Sequence, residues 1–152
     1  MSDSSEFVSF FRAPERLPRR PLIEFARLLR ERVAAGQPFH CRITDDRELR
    51  RLNRRFLNLD YPTDVLSFPE ASPEPAGGGS LGELAISASR AVAQAREHGH
   101  APLEEIQILM LHGLLHLLGM DHQTDTGRMA RTEKRWRKKL GLPAGLIERA
   151  KS

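Results

Sequence analysis

The chain has 152 residues, 39% of them hydrophobic, and 24 Lys+Arg against 20 Asp+Glu give a net charge of +4. This length suits one domain with a real core, here taken as 1–152, and the composition excludes a disordered chain. Cys41 is the only cysteine, which rules out an internal disulfide, and with no signal-peptide pattern or apolar run of membrane length the expectation is a cytoplasmic protein with no membrane partner.

Residues Glu6 to Phe11 are apolar enough for a short first strand. Pro21 opens a helix in which Leu22, Phe25, Leu29 and Val33 recur at helical spacing, and Gly36 can end it. FHCRIT (39–44) alternates, with Phe39, Cys41 and Ile43 on one side, as a half-buried strand does. Asp45 and Glu48 read as the N-cap pair of a second helix, whose buried stripe is Leu49, Leu52 and Phe56. Tyr61-Pro62 marks a turn. Val65 to Phe68 reads as a strand stopped by Pro69, and residues 69–80 form a flexible loop rich in proline and glycine. LGELAIS (81–87) is a fourth strand, followed by a serine-capped, alanine-rich helix ending near Gly99. Pro102 begins a long helix with Glu104 and Glu105 in its first turn, where the helix dipole favours them. From Ile106 to Leu118 nearly every face is apolar, so this helix is expected at the centre of the fold. Met129, Trp136 and Leu140 mark one face of a last helix. Four short strands and about five helices predict an α+β or α/β layer fold.

The central helix ends in HGLLHLLGMDH (112–122). Imidazole is costly to bury unless its nitrogens are satisfied. His112 and His116 are four apart and share a helix face. Six further residues of helix would turn His122 by roughly 240°, away from both. Gly119 stands where a chain reversal can bring His122 back. Three neutral histidines leave a zinc ion one open position, the pattern of a catalytic site. Asp121 is a candidate partner for a ligand ring or a proton acceptor. The candidate catalytic residues are therefore His112, His116 and Asp121, and the candidate ligands of one zinc ion are His112, His116 and His122. His40, His98 and His100 lack partners at ligand spacing and read as surface or loop residues. Metalloproteases carry HExxH, but Gly113 occupies the position of their glutamate, which opposes a zinc peptidase.

TGRMARTEKRWRKKL (126–140) carries seven Lys/Arg and one Glu. Exposed helices usually mix signs, so the imbalance weakens the reading of a merely solvated face; basic helices also bind membranes and acidic proteins, but beside a hydrolytic metal site this one favours a nucleic-acid phosphodiester. Arg50, Arg51, Arg54 and Arg55 form a second cluster, and Arg12, Arg16, Arg19 and Arg20 a third. Arg131 and Arg135 join the four arginines of the second cluster as candidate nucleic-acid-binding residues. Trp136 reads as a core anchor.

LNRRFLNLDYPTDVLSFP (52–69), LGELAIS (81–87) and HGLLHLLGMDH (112–122) together resemble the YbeY family, from about Phe7 to Leu140. The resemblance implies a small α+β fold with a four-stranded mixed sheet and a zinc site at His112, His116 and His122. It further implies single-strand-specific endoribonuclease activity, maturation of 16S ribosomal RNA at its 3′ end and ribosome quality control. Its implied partners are ribosomal RNA and the small ribosomal subunit with its proteins. Many members carry an arginine, thought to hold RNA phosphate, where this chain has Leu57. Asp64, Ser67 and Glu83 are expected either at the cleft or in capping and strand-edge hydrogen bonds. The alternative function is a non-catalytic ribosome-assembly factor whose metal is structural, and Leu57 is the feature that favours it.

Overall fold

The computed structural model describes residues 6–57, 63–70, 80–121, 124–143 and 147. In chain order the elements are β1 (Val8–Phe10), α1 (Arg19–Arg32), β2 (His40–Thr44), α2 (Asp46–Leu57), β3 (Val65–Pro69), β4 (Gly82–Ser87), α3 (Ala88–His98), α4 (Pro102–Leu117) and α5 (Arg128–Leu140). The strands form one mixed sheet in the order β1-β2-β4-β3. β1, β2 and β4 run parallel, and β3 is antiparallel to β4 at the edge. This is the expected α+β architecture.

Alternation along the strands divides the core. Ile43, Leu84 and Ile86 belong to the main cluster with α1 and α4, and Val65 packs against it. Leu66 and Ala85 turn to the other face and bury Leu49 and Leu52 of α2. α4 is buried along almost its whole length, from Ile106 to Leu115 on every face but one. A helix apolar on nearly every side belongs in the interior, and its side chains form a large part of the main core cluster.

The local signals act as their chemistry dictates. Asp45 Oδ1 accepts from the Glu48 amide and caps α2. Ser87 accepts from the Arg90 amide at the start of α3, and Gly99 ends that helix in the left-handed conformation. Trp136 is half-buried against the main core, with the Lys139 ammonium 5.0 Å from its ring centre.

Four expectations are corrected. α1 begins at Arg19, with Pro18 before it, two residues ahead of the predicted start. Phe56 is 57% exposed and is not part of the α2 stripe. It meets the Phe68 ring of the edge strand edge-on at 5.4 Å. Pro69 is the last residue of β3 rather than loop, opposite Gly82. An edge position tolerates its missing N–H. Gly82 has φ +141°, and a Cβ there would lie 2.2 Å from the Phe68 carbonyl oxygen, so glycine is required. The fourth correction concerns His100, which lies in the loop between α3 and α4 as expected but is not a surface residue. Its side chain is 9% exposed, and its Nε2 lies 2.6 Å from Oε1 of fully buried Glu105. Glu105 therefore serves this buried pair, whereas Glu104 caps α4 by accepting from the Ala101 amide. His98 is exposed as expected. The turn at Tyr61-Pro62 and most of the 69–80 loop lie outside the described residues.

Candidate functional site

His112 and His116 stand one turn apart near the end of α4, and their Nε2 atoms approach to 3.2 Å. The opposite nitrogen of each ring is occupied. His116 Nδ1 lies 2.9 Å from the Met120 carbonyl oxygen, which can only accept, so Nδ1 donates. His112 Nδ1 lies 2.6 Å from Glu133 Oε2, and an ionised carboxylate again makes Nδ1 the donor. In the neutral rings each Nε2 then carries a lone pair, and the two lone pairs face each other. Two nitrogens bound at about 2.05 Å to one tetrahedral zinc ion would stand roughly 3.3 Å apart. The donor set therefore fits a divalent cation.

The turn after α4 is what presents Met120. Gly119 has φ +92°, its amide bonds the His116 carbonyl at 2.9 Å, and the Met120 amide bonds the Leu115 carbonyl at 3.1 Å. This paired closure is the Schellman arrangement that a glycine after a helix permits. It orients the Met120 carbonyl toward the histidine ring. Glu133 comes from α5, which Asp125 starts by accepting from the Gly127 and Met129 amides. Glu133 is 1% exposed, and its second oxygen accepts from the Ile147 amide at 3.0 Å.

A cleft of about 420 Å³ opens over the histidine pair, walled by Asp64, Val65, Leu66, Ser67 and Pro69 of the β3 edge. Ser67 Oγ donates to the Gly113 carbonyl at 3.0 Å, tying the strand to α4. Asp64 lines the cleft, yet both of its oxygens are engaged. Oδ1 accepts from the Val65 amide and the Thr63 hydroxyl, and Oδ2 from the Gln94 amide group. Asp64 and Ser67 thus combine cleft-lining with the capping and strand-edge bonds expected of them. Gly113 faces the sheet, where a Cβ would meet Leu84 Cδ2 at 2.8 Å and Val65 Cγ2 at 3.2 Å. A larger residue there would have to displace the Leu84 side chain, so packing as well as sequence sets this position apart from that of the peptidase glutamate.

A second groove of about 800 Å³ shares Ser67 and Pro69 with the cleft and runs over the other sheet face. Arg42, Arg51, Arg55, Phe56 and Glu83 are among its walls. The Arg55 guanidinium lies 5.3 Å from the Phe56 ring centre. Arg51 is tied to the buried Glu48 carboxylate. Glu83 accepts from His40, and this hydrogen bond, with the charges of His40 and Arg42, holds its carboxyl below the ordinary value against the opposing effect of partial burial.

The family model for Endoribonuclease YbeY matches residues 22–141. The chain belongs to the YbeY endoribonuclease family. It is 62% identical over 152 residues to Endoribonuclease YbeY of Solibacter usitatus, spanning 99% of each chain. It is 48% identical over 124 residues to the YbeY of Koribacter versatilis, covering 80% of this chain and 78% of that one. Its fold is similar to the solution structure of a Thermotoga maritima protein, with TM-score 0.54, 25% identity and 86% of each chain covered.

Of the site residues expected from a YbeY-like chain, His112 and His116 are brought together at the cleft. His122 lies outside the described residues. Among the described residues no group of three or more His, Cys, Asp or Glu side chains is assembled to hold a metal. Asp121 is exposed beyond the turn, and its carbonyl accepts from the Thr124 amide. Arg50, Arg54, Arg131 and Arg135 are exposed on α2 and α5. Among the described residues no helix is long and apolar enough to cross a membrane. Glu133 was missed as the partner of His112, a place assigned to Asp121. Its signal was present, because Glu133 stands four residues after Met129 and three before Trp136, on the buried face of an otherwise basic helix.

Proposed function

We propose that this protein is a zinc-dependent endoribonuclease that cuts single-stranded RNA, with maturation of the 16S ribosomal RNA 3′ end and ribosome quality control as its role. The observation that carries the reading is the His112–His116 pair, whose Nε2 atoms face each other at 3.2 Å while each Nδ1 is held by a fixed acceptor. Family membership supports the RNA substrate. His112, His116 and His122 would hold one zinc ion. When bound, the metal supplies a Lewis acid that polarises a phosphoryl oxygen.

The remaining work falls to the chain's own groups. The β3 edge bounds the scissile nucleotide on one side and α4 on the other. The adjoining groove gives the strand a path on which Arg55 meets phosphate and Phe56 offers a face for an unstacked base. Arg51 contributes less charge, because Glu48 offsets it. Arg50, Arg54, Arg131 and Arg135 extend the positive surface along α2 and α5. Asp121 is the proton-accepting candidate. The partners in this reading are ribosomal RNA and the small subunit with its proteins, in the cytoplasm, and residues 1–152 act as one domain.

Leu57 favours a second reading, an assembly factor that binds RNA and protein without cutting. One experiment separates the two. Purified, zinc-loaded protein is incubated with single-stranded ribosomal RNA beside identically prepared His112→Ala. Cutting by the parent alone supports the nuclease. Equal cutting by both, or none by either, overturns it in favour of the assembly factor.

A further inference from the structure

We propose that Glu133 is a positioning residue for the metal site, and that its own position is set by the backbone amide of Ile147. The inference rests on the metal reading of His112 and His116. Two observations carry it. Glu133 is 1% exposed, a depth at which a carboxylate is retained only if both oxygens are satisfied. Its two oxygens point to two different elements: Oε2 takes the His112 Nδ1 proton at 2.6 Å, and Oε1 takes the Ile147 amide proton at 3.0 Å.

The consequence follows from the chemistry of imidazole. A neutral ring has one N–H and one lone pair, and the partner of one nitrogen decides which is which. A carboxylate accepts only, so Glu133 fixes the N–H at Nδ1 and the lone pair at Nε2, facing His116. Bonds of this kind to the far nitrogen of a ligand histidine also fix the plane of the ring and raise its basicity. The Ile147 amide prevents Glu133 from swinging away from its task. Ile147 itself is buried, which anchors that amide against the core. A residue far along the chain, with no atom on the metal, thereby tunes how well His112 binds it.

Glutamine cannot replace this carboxylate. Its single acceptor oxygen can serve His112 or Ile147 but not both. If the oxygen serves Ile147, the amide N–H groups face Nδ1 and drive the ring into the wrong tautomer.

The test uses the full-length chain and reads metal binding rather than cleavage. Zinc affinity is measured by competition with a chromophoric chelator for the parent, His112→Ala, Glu133→Ala, Glu133→Gln, Ile147→Ala and Ile147→Pro. Cobalt(II) absorption spectra report the ligand field, and thermal melts of the metal-free proteins report folding. Ile147→Ala keeps the amide proton and Ile147→Pro removes it. Glu133→Ala and Glu133→Gln are expected to bind zinc about 10–100-fold more weakly and to alter the cobalt spectrum. Ile147→Pro is expected to weaken binding several-fold more than Ile147→Ala does, at similar metal-free stability. Should Glu133→Ala fail to fold, the Ile147 pair decides the matter alone. Loss of zinc affinity in His112→Ala with parental affinity in the Glu133 and Ile147→Pro variants overturns the positioning role and leaves the metal reading standing. Parental affinity in His112→Ala as well overturns both.

Discussion

The buried His100–Glu105 pair sets a quantitative test of how α4 is seated. Gly99 ends α3 in a left-handed turn, the His100 amide returns to the Ala95 carbonyl at 2.9 Å, and the His100 ring then reaches the first turn of α4. There Nε2 stands 2.6 Å from Glu105 Oε1, with side chains 9% and 0% exposed. His100→Ala leaves the Glu105 carboxylate in place without this partner. Removing one member of a buried pair costs about 3–5 kcal/mol, because the remaining charge has surrendered its hydration. Glu105 has a further interaction within the fold, so the low end, about 3 kcal/mol, is the expected loss. With a urea slope of about 1.5–2.5 kcal/mol/M for a chain of this size, the unfolding midpoint falls by roughly 1–2 M. Changing Glu105 to alanine as well removes the charge together with its partner, so the His100→Ala/Glu105→Ala variant costs less than the sum of His100→Ala and Glu105→Ala by at least about 1 kcal/mol. Urea unfolding followed by circular dichroism measures all four members of the cycle. A midpoint shift below about 0.3 M for His100→Ala, or strict additivity, would refute the claim that the pair is a coupled buried unit.

Three further outcomes are expected. Glu83 has its carboxyl depressed below the ordinary 4.5, so its contribution to stability is present above that pH and is lost as pH falls through its folded value. His40→Ala should move the Glu83 titration upward when followed by carboxyl NMR, and an unmoved titration would show that His40 is not the cause. Cys41 is fully buried and burial drives its thiol far above the ordinary range, so in native protein at pH 8 a thiol reagent should label it only at the rate of opening, then rapidly after addition of denaturant; prompt native labelling would contradict its burial. Phe56→Ala should leave the unfolding midpoint nearly unchanged, since the ring is 57% exposed, while weakening binding of single-stranded RNA roughly 5–100-fold in a fluorescence-anisotropy titration. Parental affinity would remove the groove from the RNA path.

Much of this fold was legible because burial imposes a period. Cys41 and Ile43 alternate with the half-buried His40 and Arg42, Leu22, Phe25 and Leu29 line one side of α1, and the largely apolar α4 sits at the centre. Periodicity tells which side faces inward but not how far the covering element extends, and Phe56 fell to that gap. The His100–Glu105 pair obeys no helical spacing, since a left-handed turn and a new helix lie between the two residues. Glu133 failed for a different reason. It was counted as one acid against seven bases, when its place among Met129, Trp136 and Leu140 marked it as facing the core. An acid on the apolar face of a helix calls for a buried partner, and His112 of α4 was the available one.

The placement of Gly113 narrows where proton transfer can arise. With no side chain at 113, α4 approaches β3 and β4 closely enough for Ser67 to bond the Gly113 carbonyl, and the histidine pair lies directly under the strand edge. Glycine at 113 also leaves the helix without a carboxylate of its own directly after His112. Asp64 lies nearby on the cleft wall, but its two oxygens hold the Val65 amide, the Thr63 hydroxyl and Gln94, so taking up a proton would weaken the bonds that shape the wall. Glu133 is likewise engaged by His112 and Ile147. Nearest the histidines, then, the described acids have structural duties. A general base for RNA cleavage is better sought at the exposed turn that carries Asp121 than in the packed wall. This division suits a site in which rigid, dry surroundings hold the ligand rings and the solvent-facing turn handles protons.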